Sequence, residues 1–391
     1  MVNRAYNPNT QREFLSAYVR DISKFATFDK IYSGIKEILK ISVSHLLHFD
    51  IKNAIKLRFK IEIIKWTPFI NTLKPKVYIS TSSVIGEEPP IVVYLNGLGV
   101  HTIIWEYGTN SYLFIRRNGI KCNFRNIIFC NILSNTLVVW NKHFRDFIME
   151  HPQDETKVKI LGPLMSADED VMQISRRELA FRYKIPYNSY LKYISIFDSP
   201  PLSSKFRVMF PDSNTSQYNF AFINDMYRLV KELNNVVLVY KPKRSLTSGK
   251  FVYSESLKEL FNNMMQDERA VFLDYNINPW VPIGIADICI SLPFESPTIA
   301  GIHYQKPSLF YDPFNIALHH RYQEFPGLIF HNYDELKMNV CYWLYENNSR
   351  DISLAFSRIR DLQGMYPGEN SSNKFRDYLG LLANSKEKPY V

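Results

Sequence analysis

A chain of 391 residues is longer than one hydrophobic core usually organises, so its length predicts two domains. An apolar fraction of 46% with 15% aromatic residues is enough for well-packed cores and excludes a disordered chain. Lys and Arg number 47 against 38 Asp and Glu, and this surplus points to anionic partners (nucleotides, acidic lipids or nucleic acid) without choosing among them.

The chain opens Met1-Val2-Asn3-Arg4 with no apolar core behind the charge, unlike a secretory signal. The longest apolar run, 126–140, is broken by Asn131, Ser134 and Asn135 and falls short of the roughly 20 residues that span a bilayer, so a cytoplasmic protein is expected. Cys122, Cys130, Cys289 and Cys341 show no Cys-x-x-Cys spacing and read as reduced packing residues. Residues 1–75 form a basic, mostly helical segment in which Phe28, Ile31, Tyr32, Ile35, Ile38 and Leu39 recur at helical spacing. Within it, Ile55 to Ile63 alternates apolar with charged residues, a period-two signal beside which a short helix stays open. Lys52, Lys56, Arg58, Lys60 and Lys65 crowd this stretch, either as a solvated face or as a patch resting on an anionic membrane surface.

From Pro75 the texture becomes α/β. Lys76 to Ser80, Ile91 to Leu95, Ile127 to Cys130, Thr136 to Trp140 and Lys157 to Leu161 read as strands of a first, parallel sheet ending at Gly162-Pro163. Residues 164–190 are the expected interdomain passage. Its acidic triplet, Asp168-Glu169-Asp170, sits at a helix start, where carboxylates cap open N–H groups, and this favours capping over a metal-binding Asp-x-Asp motif. A second sheet follows through Tyr193 to Asp198, Val236 to Tyr240, Val271 to Asp274, Ile288 to Ser291 and Ser308 to Tyr311, with 219–233 as a crossover helix. It carries no Gly-x-Gly-x-x-Gly or Gly-Lys-Ser/Thr loop, which disfavours dinucleotide hydride transfer and P-loop ATP hydrolysis. His303 and His319-His320 lack metal-ligand spacing, so no metal site is expected.

The most informative stretch is the strand Ala286 to Ser291, the turn Leu292-Pro293-Phe294-Glu295-Ser296-Pro297, and a helix opening at Thr298 before the strand Lys306 to Asp312. The turn lies at a strand's carboxyl edge, where open α/β sheets bind ligands, and the helix start offers N–H groups to a nucleotide phosphate. Lys241-Pro242-Lys243-Arg244 follows another strand, so its cations should project at the same edge, suited to phosphate.

This block resembles the donor-binding half of GT-B type glycosyltransferases, and the turn resembles bacterial surface-polysaccharide biosynthesis proteins with a Pro-Phe-Thr-Ser signature, Glu295 standing in the third position. The resemblance covers roughly residues 75–391. It implies an α/β fold of two Rossmann-like domains facing a cleft, with 1–163 the acceptor-side domain, 191–370 the nucleotide-sugar-binding domain and 371–391 a final helix packing back. It implies a metal-independent transferase with a nucleotide-sugar donor and no other cofactor, acting on a surface polysaccharide or lipid-linked glycan at the inner face of the membrane. Pro293, Phe294, Glu295, Ser296, Thr298, Lys241, Lys243 and Arg244 would hold the donor, and Tyr275, after the strand ending at Asp274, would meet the nucleobase, with a simple Asx turn as the competing reading. Lys241-Pro242 occupies the place of the His-Pro motif of sialyl- and Kdo-type transferases, which makes a CMP-linked 3-deoxy-ulosonic acid the first choice of donor, ahead of a UDP- or GDP-sugar. The base would come from the opposite domain, where Asn96 to His101 follows a predicted strand and offers His101 and Glu106. Two rivals stand beside this reading. One is a nucleic-acid-binding protein, which its 25 Tyr, 27 Phe and basic charge would serve if the rings lay exposed. The other is an inactive GT-B scaffold in a polysaccharide assembly complex.

Overall fold

The computed structural model describes residues 51–82, 91–106, 132–140, 142–149, 157–162, 169–201, 215–246, 251, 253–293, 295–303, 306–315, 327–346, 357 and 371–384. The chain divides into two compact units, one of residues 1–105, 131–137 and 380–391, the other of 106–130 and 138–379.

In the first unit, helix α1 (Ile51–Leu73) takes in the whole of Ile55 to Ile63, so the alternating pattern there is helical and not a strand. Lys74, in a left-handed conformation (φ 44°), ends the helix, its N–H reaching the Ile70 carbonyl at 2.8 Å. Strand β1 (Val77–Ser82) follows. Ile91 to Leu95, expected as a strand, forms helix α2 (Ile91–Gly97). Its burial has the helical spacing: Ile91, Val92 and Leu95 are enclosed, while Val93 between them is 45% exposed. Ile70, Ile91, Leu95 and Val100 make a small core, with Trp66 and Tyr78 edge-to-face against it. Strand β2 (His101–Glu106) pairs into a four-stranded sheet of order β1-β2-β3-β4, with β3 Thr136–Val139 and β4 Val158–Ile160. By the same division Glu106 of β2, Val138 and Val139 of β3 and all of β4 belong to the second unit.

Past α3 (Lys142–Met149), the second unit continues with α4 (Glu169–Gln173) and α5 (Arg176–Arg182). Ser175 breaks what reads as one helix into these two. Its hydroxyl accepts the Glu178 N–H at 3.2 Å, half of a capping box. A six-stranded sheet then builds from β5 (Lys192–Phe197), β6 (Val236–Lys241), β7 (Ala270–Phe272), β8 (Ile288–Ser291), β9 (Ser308–Tyr311) and β10 (Ile329–Phe330). Every neighbouring pair is parallel, in the order β10-β9-β8-β5-β6-β7. Helices α6 (Ser216–Glu232), α7 (Glu255–Met265), α8 (Trp280–Ile285), α9 (Ser296–His303) and α10 (Tyr333–Cys341) join or follow these strands, and α11 (Ser371–Asn384) comes last. Thr215, Ser254 and Asn332 cap α6, α7 and α10 through their side chains.

The strands are buried on both faces, as parallel sheets demand, and this is why they read as continuous apolar runs. One core joins Ile194, Ile196, Leu238, Tyr240, Ile288 and Leu309 to Phe222, Met226, Leu257 and Phe261 of α6 and α7. The rings of Tyr193, Phe222, Tyr240 and Phe310 are at most 0% exposed, so these aromatics are core and not the exposed platform that single-stranded nucleic acid needs. Cys289 is likewise buried and free, its thiol pushed up to about 12 by burial, and Cys341 is free and half-buried; Cys122 and Cys130 lie outside the described residues. No described helix is long and apolar enough to cross a membrane.

The strand order positions the site. From β5 the chain steps outward to β6 and β7, crosses back to β8 on the other side of β5, and steps outward again to β9 and β10. Connections therefore leave β5 and β8 in opposite directions, which opens a crevice at their carboxyl ends. At the amino edge the charges are spent internally. Arg176 donates to both Asp287 oxygens (3.0 and 3.1 Å), and Asp287 accepts the Tyr193 N–H at 2.8 Å.

Candidate functional site

The register aligns Phe197 with Lys241 on one side and with Ser291 on the other, so β5, β6 and β8 end level. The residues just past these ends share one edge: Asp198 after β5, Pro242-Lys243-Arg244 after β6, and the Leu292-Pro293 turn leading through Glu295 into α9 after β8. The topology thus brings the two basic and Pro-rich motifs together at the switch point.

Lys243 joins them. Its backbone N–H donates to Asp198 Oδ1 at 2.8 Å, and its Nζ donates to both Glu295 oxygens at 2.9 and 3.2 Å. Both carboxylates are enclosed, Asp198 at 2% and Glu295 at 6% exposure. Asp198 Oδ2 also accepts the Tyr240 hydroxyl at 2.9 Å. Burial raises the Asp198 carboxyl above its ordinary range and the Glu295 charge adds to this, against the Lys243 N–H, the Tyr240 hydroxyl and the Lys243 charge. Burial, then the Asp198 charge, lifts Tyr240 well above the usual phenol range, so the phenol keeps its proton and donates it.

This shift has a sign. A carboxyl whose folded pKa lies above the unfolded value contributes fully below about pH 4, and the folded state loses stability as pH rises from there through the raised value. Asp198→Asn cannot ionise. Its Oδ1 still accepts from Lys243 N–H, and its Nδ2 can donate to the Tyr240 oxygen. Denaturant titrations from pH 4 to 7 should show the variant gaining on the wild type as pH rises; a constant difference would remove Asp198 as the titrating group.

Lys241 takes a different place from the projecting cation its position suggests. It is 9% exposed, with Nζ donating to the carbonyls of Tyr275 (3.0 Å) and Pro242 (3.3 Å), and burial lowers its pKa. It ties the end of β6 to the loop after β7. The tethered Tyr275 is 40% exposed, and its loop is an Asx turn in which Asp274 Oδ1 accepts the Asn276 N–H at 2.7 Å. Lys243 and Arg244 are the cations of this motif that reach solvent.

Helix α9 begins at Ser296, two residues ahead of the expected Thr298. Pro297 costs nothing in a first turn. Thr298 is fully buried. Its hydroxyl donates to Ser291 Oγ at 2.7 Å and its N–H to the Glu295 carbonyl at 3.2 Å, so it fastens α9 to β8, while half-buried Ser296 is the hydroxyl at the helix mouth. Pro293 is buried, and Phe294 lies outside the described residues.

Of the two base candidates, His101 opens β2 and does not follow a strand's carboxyl end, because the preceding segment is helical. Its Nε2 lies 3.0 Å from Thr136 Oγ1. Glu106 is the last residue of β2. Asn96 is bound into a local polar network, donating to the Leu133 carbonyl at 2.8 Å and accepting the Thr102 hydroxyl at 2.6 Å. No group of three or more His, Cys, Asp or Glu suited to a metal occurs among the described residues.

Sequence reasoning did not single out Asp198 and Tyr240. The available signal was a carboxylate directly after a largely apolar strand, where burial without a partner would be costly.

The family model described as "Polysaccharide biosynthesis PFTS motif protein" matches residues 34–340. No curated protein matches the sequence. Among solved structures, the S. aureus MnaA–UDP co-structure is similar at TM-score 0.51 and 12% identity, covering 85% of this chain and 82% of that one. A structure of the wall teichoic acid polymerase TagF is similar at TM-score 0.50 and 11% identity, covering 90% and 99%. Against TarM, at 13% identity and TM-score 0.45, the match covers 83% of this chain but spans only 58% of TarM. The likeness to MnaA and TagF is one of fold, and it agrees with the GT-B type of α/β architecture.

Proposed function

The chain belongs to the polysaccharide biosynthesis PFTS motif family, and on that premise we propose that it is a glycosyltransferase moving a sugar from a nucleotide-activated donor to a surface polysaccharide or lipid-linked glycan. The observation that carries this reading is the position of the Pro-Phe-Glu-Ser turn at the switch point between β5 and β8, beside Lys243 and Arg244. The UDP in the MnaA co-structure supports a nucleotide site in this fold. A CMP-linked 3-deoxy-ulosonic acid is the first donor to test, with UDP- and GDP-sugars next.

In this reading, Ser296 and the α9 mouth receive the donor phosphate, and Lys243 and Arg244 meet the charge that grows on it as the glycosidic bond breaks. These groups supply leaving-group stabilisation without a metal. Thr298 and Lys241 are positioning residues, the first holding α9 on β8 and the second holding the Tyr275 loop, whose exposed ring offers a face to the nucleobase. Glu106, at the end of β2, is assigned the acceptor's base over His101, whose ring is engaged with Thr136. Association with the inner face of the membrane is assigned to the Lys52 to Lys65 stretch of α1.

A thermal-shift series with CMP, UDP, GDP and ADP should raise the melting temperature with one nucleotide selectively, since a ligand bound only by the folded state stabilises it. Ser296→Ala should raise the dissociation constant of that nucleotide about tenfold, the worth of a hydrogen bond to a charged group, without lowering thermal stability. Absence of any shift at millimolar nucleotide, in a folded protein, would dismiss the donor-site assignment and favour the inactive scaffold.

A further inference from the structure

Glu295 is the residue by which this chain departs from its family's signature, and it is an anion placed where an anionic ligand is to bind. Its carboxylate is 6% exposed and holds Lys243 Nζ through both oxygens, at 2.9 and 3.2 Å. A second buried carboxylate, Asp198, holds the backbone of the same lysine. Lys241 is turned inward onto two carbonyls. Lys243 and Arg244 are the cations of the motif that reach solvent, and Lys243, 41% exposed in its side chain, is the one that Glu295 and a ligand would share.

Resting on the nucleotide-donor reading above, we propose that Glu295 is a specificity-determining residue that competes with the donor's phosphate for Lys243 and so sets how highly charged a phosphate the site retains. A phosphate at the turn has to draw Lys243 partly away from a tethered carboxylate, and it meets that carboxylate's repulsion at close range. The penalty grows with ligand charge. The site therefore favours a donor with a single phosphodiester over one with a diphosphate, and it releases the more highly charged free nucleotide once the sugar has left. When the nucleotide departs, Glu295 reclaims Lys243, and neither charge is left uncompensated.

Glu295→Gln removes the competing charge while keeping the side chain's shape and a hydrogen-bond acceptor for Lys243. Calorimetric titrations with CMP, UDP and inorganic pyrophosphate should show tighter binding in the variant, about tenfold for UDP and pyrophosphate and less for CMP. In Glu295→Gln/Lys243→Met the gain should disappear, because the cation being competed for is gone; a purely structural role for Glu295 would not produce this charge-graded pattern. Wild-type binding that is unchanged or weakened in Glu295→Gln, or a gain equal for all three ligands, overturns the inference and leaves the nucleotide site standing. Failure of both folded proteins to bind any of the three ligands overturns the inference and the donor-site reading together.

Discussion

Lys243→Met is expected to lower the unfolding free energy at pH 7 by about 3 kcal/mol, the low end of what breaking a buried ion pair costs, because Lys243 is 41% exposed while Glu295 is 8%. The loss comes from the partner left behind. Without the lysine, the Glu295 carboxylate loses the cation that both its oxygens hold, in an enclosed turn next to an equally enclosed Asp198. Both responses open to it, protonation or movement toward solvent, cost free energy at neutral pH. A second change, Glu295→Met, should recover most of the loss, since an apolar pair of similar volume replaces a buried ion pair at little cost. Urea unfolding of the two single variants and the double variant closes the cycle. Additive effects would mean that the 2.9 Å contact contributes nothing to folding.

The parts of this fold that were legible in the sequence share a physical feature. Strands β6, β8 and β9 are fully buried and β5 is buried from Tyr193 on, so each reads as a short, mainly apolar run, and each run ends at a polar or Pro-containing turn. Where burial is one-sided or the run is short, the same signal misleads. Ile91 to Leu95 has five apolar residues in succession, which suits a strand as well as a turn of buried helix, and only the exposure of Val93 separates the two. Lateral order is not written in periodicity at all. That β8 lies beside β5 rather than beyond β7 follows from the crossover, and it is this placement that brings Glu295 to Lys243 across 52 residues.

The site follows the same division. The Pro-Phe-Glu-Ser turn and the basic run after β6 were legible because each directly follows a buried strand. The division of labour inside them was not. Lys241 and Lys243 are chemically equivalent in the sequence, yet one turns in to the Tyr275 carbonyl and the other out to Glu295. Ser296 and Thr298 likewise both offer a hydroxyl, yet one is half-buried at the mouth of α9 and the other is fully buried against Ser291.

Gly301→Ala is the change expected to disturb that arrangement most at a position no ligand touches. Gly301 sits in α9 against β8 and β9, where an added methyl would overlap Ser308 Oγ and lie 3.4 Å from Cys289 Sγ. Ser308 is fully buried and its hydroxyl is engaged with the Lys306 carbonyl at 2.9 Å, so it has little room to give way. Overpacking of this kind costs about 3 kcal/mol at its upper range, and alanine returns about 1 kcal/mol as the better helix former, leaving a net loss of about 2 kcal/mol. Relief should come from Ser308→Ala in the same chain. It removes the overlapping oxygen, and the remaining Ser308 Cβ lies at an ordinary 3.5 Å from the new methyl. On its own, Ser308→Ala loses one hydrogen bond, about 1 kcal/mol, so a double variant more stable than Gly301→Ala would be a rescue that additivity forbids. Nucleotide affinity should follow the same course. If α9 is levered off β8, Ser296 moves away from Lys243, so Gly301→Ala should weaken binding and the double variant should restore it. Weakened binding that persists in a double variant of recovered stability would separate the helix mouth from the packing beneath it.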